Sequence, residues 1–150
     1  MREAHLRIFP CQKEEFPSLD LLTMWLATGL KARAGNYHLR SRTSVADLVT
    51  GSIVFFRYGQ SLVGEAIVSA YETFQEPKRD RTLMGQEADY EASVTFCASS
   101  IRLYVPPVEV SALEQITGRD LSVARTYHRF EDWSIYARLL SAHVANGGAF

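Results

Sequence analysis

The side chains that most often carry out catalysis or bind metals are few in this sequence, and their spacing forms no motif. The histidines follow no HExxH spacing and pair with no cysteine motif: they are His5, His38, His128 and His143. Cys11 and Cys97 lie far apart and form no CxxC pair, which predicts two buried free thiols. The glycine-rich motifs GxGxxG and GxxxxGKS/T are also missing. The sequence therefore predicts no catalytic residue, no metal site and no cofactor.

A basic and aromatic region between residues 25 and 58 is the strongest chemical signal. The segment KARAGNYHLRSR (residues 31–42) is its most basic part, and the candidate phosphate contacts there are Lys31, Arg33, Arg40 and Arg42. Trp25, Tyr37 and Tyr58 offer ring faces on which a base could stack, worth about 1–3 kcal/mol per base. An exposed basic turn beside core aromatic residues would give the same pattern, so both interpretations stay open.

Overall composition describes a soluble globular chain of one domain, residues 1–150. Apolar residues make up 47% and charged residues 22%, and no apolar run approaches the length of a membrane span. The amino-terminal stretch mixes charged with apolar residues, unlike a signal peptide, so we expect a cytoplasmic protein with no membrane contact. A net charge of −1 gives no general indication of nucleic-acid binding, which must rest on local charge.

The predicted elements in the first half of the chain are strands with one helix. Alternation predicts a strand over 5–9, and Ser18 can cap a helix over 19–28 with Gly29 just past its end. Residues 53–58 and 62–68 are rich in β-branched and aromatic side chains and predict an antiparallel hairpin.

The second half predicts an exposed loop over 75–87, then one or two strands over 90–105 that end before Pro106 and Pro107. Helices are predicted over 110–116 and 131–145. The second helix has an apolar stripe made of Trp133, Tyr136, Ala137, Leu140 and Val144. This order predicts an α+β fold, a twisted antiparallel sheet or barrel flanked by helices.

The order of features across residues 25–68 resembles the EVE domain, a member of the PUA-like group that includes the YTH, ASCH and SRA-type domains. The matching features are Trp25, Gly35-Asn36-Tyr37, Arg40, Arg42, Leu48, Gly51, the strand Ile53–Tyr58 and the return strand Val63–Val68. The segment Arg102–Pro107 and Trp133 also look like later parts of that family. Ser52 departs from the family's usual aspartate, and the segment up to Phe16 lacks its Tyr-Trp opening.

The resemblance implies a PUA-like pseudo-barrel whose aromatic cage accepts a flipped-out modified base without altering it. By position, the base-binding residues would be Trp25, Asn36, Tyr37, Phe56 and Tyr58, with Asn36 on the base edge. Phe56 is preferred to Phe55 because alternation puts it on the side of Tyr58. By analogy the partner is DNA in preference to RNA, 5-methylcytosine being one candidate base, and a fused or associated nuclease would fit modification-dependent restriction.

Two rival functions remain open from the sequence. An ASCH-like small enzyme acting on RNA or a modified nucleoside would be favoured by a lysine or histidine that faces the pocket beside a tyrosine. A protein-interaction domain without any nucleic-acid role would explain the basic window as an ordinary exposed surface.

Overall fold

A sheet of seven strands carries helices on both of its faces in the computed structural model, which describes residues 2–150. The strands are β1 (Leu6–Pro10), β2 (Asn36–Leu39), β3 (Ile53–Tyr58), β4 (Ser61–Arg81), β5 (Glu87–Phe96), β6 (Arg102–Glu109) and β7 (Arg129–Phe130). The helices are α1 (Leu19–Met24), α2 (Leu30–Ala32), α3 (Val110–Thr117) and α4 (Ser134–Ala145). The α+β prediction is confirmed, with 28% helix and 38% strand.

The strands lie in the order β2-β5-β4-β3-β1-β7, and β6 pairs with β4 beside that path. The sheet does not close on itself. Its pairs are antiparallel except that β1 runs parallel to β3, which the sequence-based prediction of an antiparallel sheet did not include. Parallel pairing is feasible because the connection from β1 to β3 is long and contains a helix.

The first helix is longer than the predicted span of 19–28. It continues from α1 through a π-helical turn (Trp25–Gly29) into α2. Gly29 is not its end: it keeps helical dihedral angles, and a Cβ there would lie 3.1 Å from the Trp25 ring. The chain turns at Gly35 instead, where φ is +81° and a Cβ would lie 1.9 Å from the Phe96 carbonyl oxygen. Only glycine fits that position.

The prediction of a loop over 75–87 is wrong, although most of these residues are exposed as expected. Strands β4 and β5 pair as far as Arg81 and Glu87, so only residues 82–86 form a turn, and we call residues 74–90 the arm. An irregularity between Thr73 and Lys78 accommodates Pro77 in β4. The polar residues misled the prediction because a two-stranded ribbon exposes both of its faces to solvent. The arm's apolar cluster is small and consists of Phe74, Ala88 and Tyr90.

Two apolar cores lie on opposite faces of the sheet. Alternation along β3 sends Val54 and Phe56 to the core beneath the first helix, and Ile53 and Phe55 to the core beneath α3 and α4. Tyr58 packs against the same core as Phe56, which confirms the predicted facing of that strand.

The carboxyl-terminal half differs from prediction in two details. Helix α4 begins at Ser134, and its buried residues are Ile135, Leu139 and His143, one position away from the predicted stripe. Trp133, expected in the core, is 42% exposed. Apolar spacing did not predict the observed face because His143, which lies on that face, is polar. In the structure this histidine is buried, and its ring lies 2.9 Å from the Ala149 carbonyl oxygen. Strand β6 continues through both prolines, which an edge position allows.

Cys11 is buried, as predicted, whereas Cys97 is partly exposed. None of the helices formed by residues 2–150 has the length and apolar character needed to cross a membrane.

Candidate functional site

Two of the predicted cage residues, Trp25 and Tyr37, are in direct contact. Their ring centroids are 5.1 Å apart with an interplanar angle of 75°. Tyr37 also meets Phe9 edge to face, at 5.2 Å. Edge-to-face packing is the favoured arrangement of neighbouring aromatic rings in a core, and it leaves no slot between two parallel faces. The Trp25–Tyr37 pair therefore does not form a sandwich for a base.

Phe56 and Tyr58 both make contacts within the protein instead of lining a cleft. Phe56 is 0% exposed and packs between Phe9 and Phe96, so its ring has no surface to offer a ligand. The Tyr58 hydroxyl donates to the Phe16 carbonyl oxygen at 2.7 Å and so fixes the segment that follows β1. We therefore correct both assignments: neither side chain lines the clefts described below, and both pack with the core beneath the first helix.

Asn36 is also engaged elsewhere. Its side-chain Nδ2 donates to Thr95 Oγ1 at 3.1 Å, which joins the first residue of β2 to β5. The amide thus stabilises the sheet, and Asn36 does not line the clefts described below. Its predicted contact with a base edge is corrected accordingly.

A cleft of about 400 Å³ opens beside Tyr37, within the size range of small-molecule sites. We call it the Tyr37 cleft. Its aromatic walls are Phe9, Tyr37 and Tyr127, and its polar lining includes Gln12, Glu15, His38, Arg40, Thr43 and Ser44. The segment after β1, strand β2 and the turn Arg42–Val45 bring these residues together. Phe9 and Tyr37 are almost fully buried, at 1% and 4% exposed, and Tyr127 is half-buried. The cleft therefore offers one partly exposed ring, hydrogen-bonding groups and one cation at a single place.

A second, much smaller cleft shares lining side chains with the Tyr37 cleft. Glu15, Tyr37 and His38 line both, and the small cleft is completed by Trp25, Arg33, Asp80 and Leu83 among others. Its volume of about 40 Å³ is enough for only a few water molecules. A nucleobase would therefore fit the Tyr37 cleft and not the side where Trp25 lies.

The acid–base properties of the Tyr37 cleft follow from burial. Burial raises the pKa of Glu15, and the nearby Arg40 cation and Tyr37 phenol oppose this effect. Burial, with smaller contributions from Cys11 and Glu15, also raises the pKa of Tyr37 well above its ordinary value. Tyr37 thus remains a neutral phenol, and the Glu15 carboxyl takes up a proton more readily than an exposed glutamate.

Tyr127 forms the opposite wall and is held from two directions. Its hydroxyl donates to Ser44 Oγ at 3.1 Å, and the buried Arg7 guanidinium lies 5.0 Å from its ring centroid. These contacts hold the ring in place before any ligand arrives, which lowers the ordering entropy of binding.

The four predicted phosphate contacts have separate environments. Arg40 is exposed at the Tyr37 cleft, and Arg33 lines the small cleft, 3.4 Å from Asp80. Arg42 donates to the carbonyl oxygens of Phe74 and Gln75 and so ties the turn Arg42–Val45 to the arm. Lys31 is exposed on α2 and lines neither cleft. Arg40 is therefore the predicted cation best placed to meet a ligand in the Tyr37 cleft.

His38 is the residue at this site with the clearest capacity for proton transfer. Its Nδ1 lies 3.1 Å from Asp80 Oδ2, and its ring packs beside Tyr90 at a centroid distance of 5.4 Å. Burial lowers the pKa of His38, Arg33 lowers it further and Asp80 opposes the shift. The imidazole is therefore neutral near pH 7.

Sequence reasoning found Tyr37 and Arg40 but missed Phe9, Gln12, Glu15 and Tyr127. Phe9 appeared only as the end of a strand, and the stretch from Gln12 to Glu15 is polar enough to pass for a surface turn. Tyr127 lies in an irregular segment between α3 and α4 with no periodic pattern, so nothing local marks it.

Among residues 2–150, no group of three or more histidine, cysteine, aspartate or glutamate side chains is arranged to hold a metal ion. Comparisons with family models, with curated proteins and with solved structures gave no match. The resemblance to the EVE domain, which rests on the sequence motif, therefore stays a prediction.

Proposed function

We propose that this chain is a cytoplasmic, non-enzymatic nucleic-acid-binding domain of the EVE, PUA-like type, and that it holds a flipped-out modified base in the Tyr37 cleft. The observation that carries the proposal is the cleft itself, about 400 Å³ in volume, walled by Phe9, Tyr37 and Tyr127 and edged by Arg40. The preferred partner is DNA, and a fused or associated nuclease would give the recognition a use in restriction.

Physical estimates agree with such a role. Extruding a base from a duplex costs a few kcal/mol, and stacking it on an aromatic side chain returns about 1–3 kcal/mol. Gln12 and Glu15 supply hydrogen bonds to the edge of the base, and Arg40 supplies charge for the neighbouring phosphate. A buried methyl group adds about 0.8 kcal/mol, which is about fourfold in affinity, so the polar lining must contribute to any larger discrimination.

The first test is binding to matched DNA duplexes with and without 5-methylcytosine or N6-methyladenine, at one fixed salt concentration. We expect tighter binding to one modified duplex, and we expect Arg40→Glu to weaken binding to all duplexes by about tenfold or more, because a phosphate contact becomes a repulsion. Lys31→Glu, the same change outside the cleft, should have a smaller effect. Fluorescence anisotropy of labelled duplexes measures both.

Equal and weak affinity for all duplexes would contradict the proposed reader. If Arg40→Glu leaves the affinity for DNA unchanged, the Tyr37 cleft is not the DNA-binding site, and a protein-interaction domain is favoured.

One observation favours a second candidate, an ASCH-like enzyme acting on RNA or a modified nucleoside. His38 faces the cleft beside Tyr37, and the Asp80 carboxylate lies against its Nδ1. The two atoms are within ion-pair distance but outside hydrogen-bond geometry, so Asp80 acts on the imidazole as a nearby negative charge, and His38 would be the general base. A protein that only binds a base has no need of a histidine next to a carboxylate, such as His38 and Asp80.

For this candidate we expect turnover of a modified nucleoside or RNA by the protein, followed by liquid chromatography and mass spectrometry. The rate should rise with pH through a midpoint below 6.5, because the neutral imidazole is the active form and burial lowers the pKa of His38. His38→Gln should abolish turnover while retaining affinity, since the amide preserves much of the ring's polar contact. An absence of product from every substrate tried, together with intact binding, would leave the reader as the better account.

A further inference from the structure

A row of uncharged side chains along α4 points away from the core. The buried face of this helix is formed by Ile135, Leu139 and His143. Beside that face lies a second row, which we call the α4 stripe: Trp133, Ala137, Leu140 and Val144. Trp133 is 42% and Val144 is 55% exposed, Ala137 is exposed, and Leu140 is half-buried. The fold of residues 2–150 therefore leaves most of this stripe in contact with water.

The α4 stripe differs from an ordinary helix surface. Trp133, the residue before α4, already has helical dihedral angles. At 3.6 residues per turn, positions 133, 137, 140 and 144 project within about 60° of one another. Arg138 carries the only permanent charge of α4, and it projects about 100° away from Ala137. Exposed helix positions are ordinarily polar, so a continuous apolar row marks an interaction surface, whereas single exposed apolar residues do not.

The helix that carries the stripe is held firmly against the sheet. The Tyr136 hydroxyl, near the start of α4, donates to the buried Glu65 carboxylate on β4 and accepts from Arg102 on β6 at 2.7 Å. The Phe55 ring stacks on the Tyr136 ring, with the two centroids 6.2 Å apart. These contacts fix the α4 stripe before any partner arrives, so little conformational entropy is lost when the stripe is covered.

The stripe is complementary to itself. Suppose that two copies pack their α4 helices antiparallel about a twofold axis between residues 138 and 139. Trp133 of one copy then lies opposite Val144 of the second copy, and each Ala137 lies opposite a Leu140. Each pair joins a larger side chain with a smaller one, so the two stripes fill each other's gaps.

Charge also favours a second copy as the partner. Because no charged side chain lies on the stripe, two identical stripes bring no like charges together. The antiparallel arrangement sets the amino end of each helix beside the carboxyl end of the other, which is favourable for the two helix dipoles.

We propose that two copies of this chain form a symmetric dimer through their α4 stripes, with the two helices antiparallel. The interface is small, so we expect a dissociation constant on the order of 10 µM. This inference does not rest on the proposed function. Helix α4 packs on the core that contains Phe55, whereas Tyr37 belongs to the core on the opposite face of the sheet. The dimer therefore leaves both Tyr37 clefts open to a ligand.

Sedimentation equilibrium of the whole chain over about 1–500 µM, a range that brackets the expected dissociation constant, tests the proposal. We expect the unchanged protein to pass from monomer to dimer. Ala137→Glu should weaken dimer formation by about a hundredfold or more, because it buries two carboxylates near the symmetry axis. The monomer should tolerate this change, since glutamate is a good helix former at an exposed position.

Met24→Glu is the matched control. Met24 is an apolar residue that is 61% exposed on α1, on the other face of the sheet. We expect this variant to dimerise like the unchanged protein.

A charge exchange tests the antiparallel register. Trp133→Lys and Val144→Glu should each weaken the dimer by about tenfold or more, because each buries an unpaired charge. The double variant should dimerise more tightly than either single variant, because the new ammonium of one copy lies opposite the new carboxylate of the other. Within one chain the two positions are about 16 Å apart along the helix, so no such pair forms in a monomer.

A monomer mass at every concentration would overturn the dimer and leave the stripe to a different partner protein. A dimer that withstands Ala137→Glu would overturn the proposal as well, because another surface would then hold the copies together. If the double variant dimerises no better than the single variants, the antiparallel packing of α4 is wrong.

Discussion

Arg57→Ala should lower the free energy of unfolding by about 3–5 kcal/mol, close to the limit for a single substitution. Arg57 is 1% exposed and is among the largest fully buried side chains. Its guanidinium donates to the carbonyl oxygens of Gly59 and Leu121 at 2.8 and 2.6 Å, and to Gln60 Oε1 at 3.1 Å. Truncation would leave acceptors without donors and a cavity that water enters poorly.

Chemical denaturation followed by circular dichroism measures this loss. Arg125→Ala is the control, because Arg125 is exposed and makes a single surface ion pair with Glu14 at 3.4 Å, which is worth at most about 1 kcal/mol. If the two variants lose the same stability, Arg57 does not join β3 to the Leu121 segment in the way described.

Phe9→Ala should also lower the free energy of unfolding by about 3–5 kcal/mol, the usual range for a buried phenylalanine. Phe9 is 1% exposed, and its ring has four aromatic neighbours at centroid distances of 5.2–5.9 Å: Tyr37, Phe56, Phe96 and Tyr127. Because the ring also lines the Tyr37 cleft, its removal joins a core cavity to the binding site.

Thermal unfolding and base binding should both register this change. Phe150→Ala removes the same side chain from a position that is 46% exposed, and it should cost much less stability. A folded Phe9→Ala variant that binds the modified duplex as tightly as the unchanged protein would show that the cleft wall does not contact the base.

Sequence patterns predicted the elements whose burial is uniform and whose contacts are local. β-Branched and aromatic content identified β3 and its hairpin with β4, and apolar spacing identified α3 as Val110–Thr117, close to the predicted 110–116. These patterns failed where contacts with distant segments of the chain decide the local structure. Polar residues in the arm resembled a loop, although the opposite strand supplies their hydrogen bonds. The error on α4 has a local cause: buried His143 hid the true face of the helix, and its ring lies 2.9 Å from the carbonyl oxygen of Ala149, six residues further on.

Whether a site residue could be predicted from the sequence depends on the same difference between local and distant contacts. Tyr37 and Arg40 belong to a continuous basic window, so one stretch of sequence marks both. Phe56 shows the limit: alternation gives the face of a strand but not the depth at which it packs. Glu15 and Tyr127 come from segments more than a hundred positions apart, and only the folded sheet brings them to one cleft.

Strand β1 lies between β3, with which it pairs in parallel, and β7, with which it pairs through Leu6 and Arg7. Strand β1 therefore waits for residues 129–130, more than a hundred positions later in the chain, before its second edge is covered. Pairings so distant along the chain form slowly and leave an unpaired edge exposed meanwhile. We expect this protein to complete its native sheet only after residues 129–130 have joined β1, and to fold more slowly than a domain whose strands pair with their sequence neighbours.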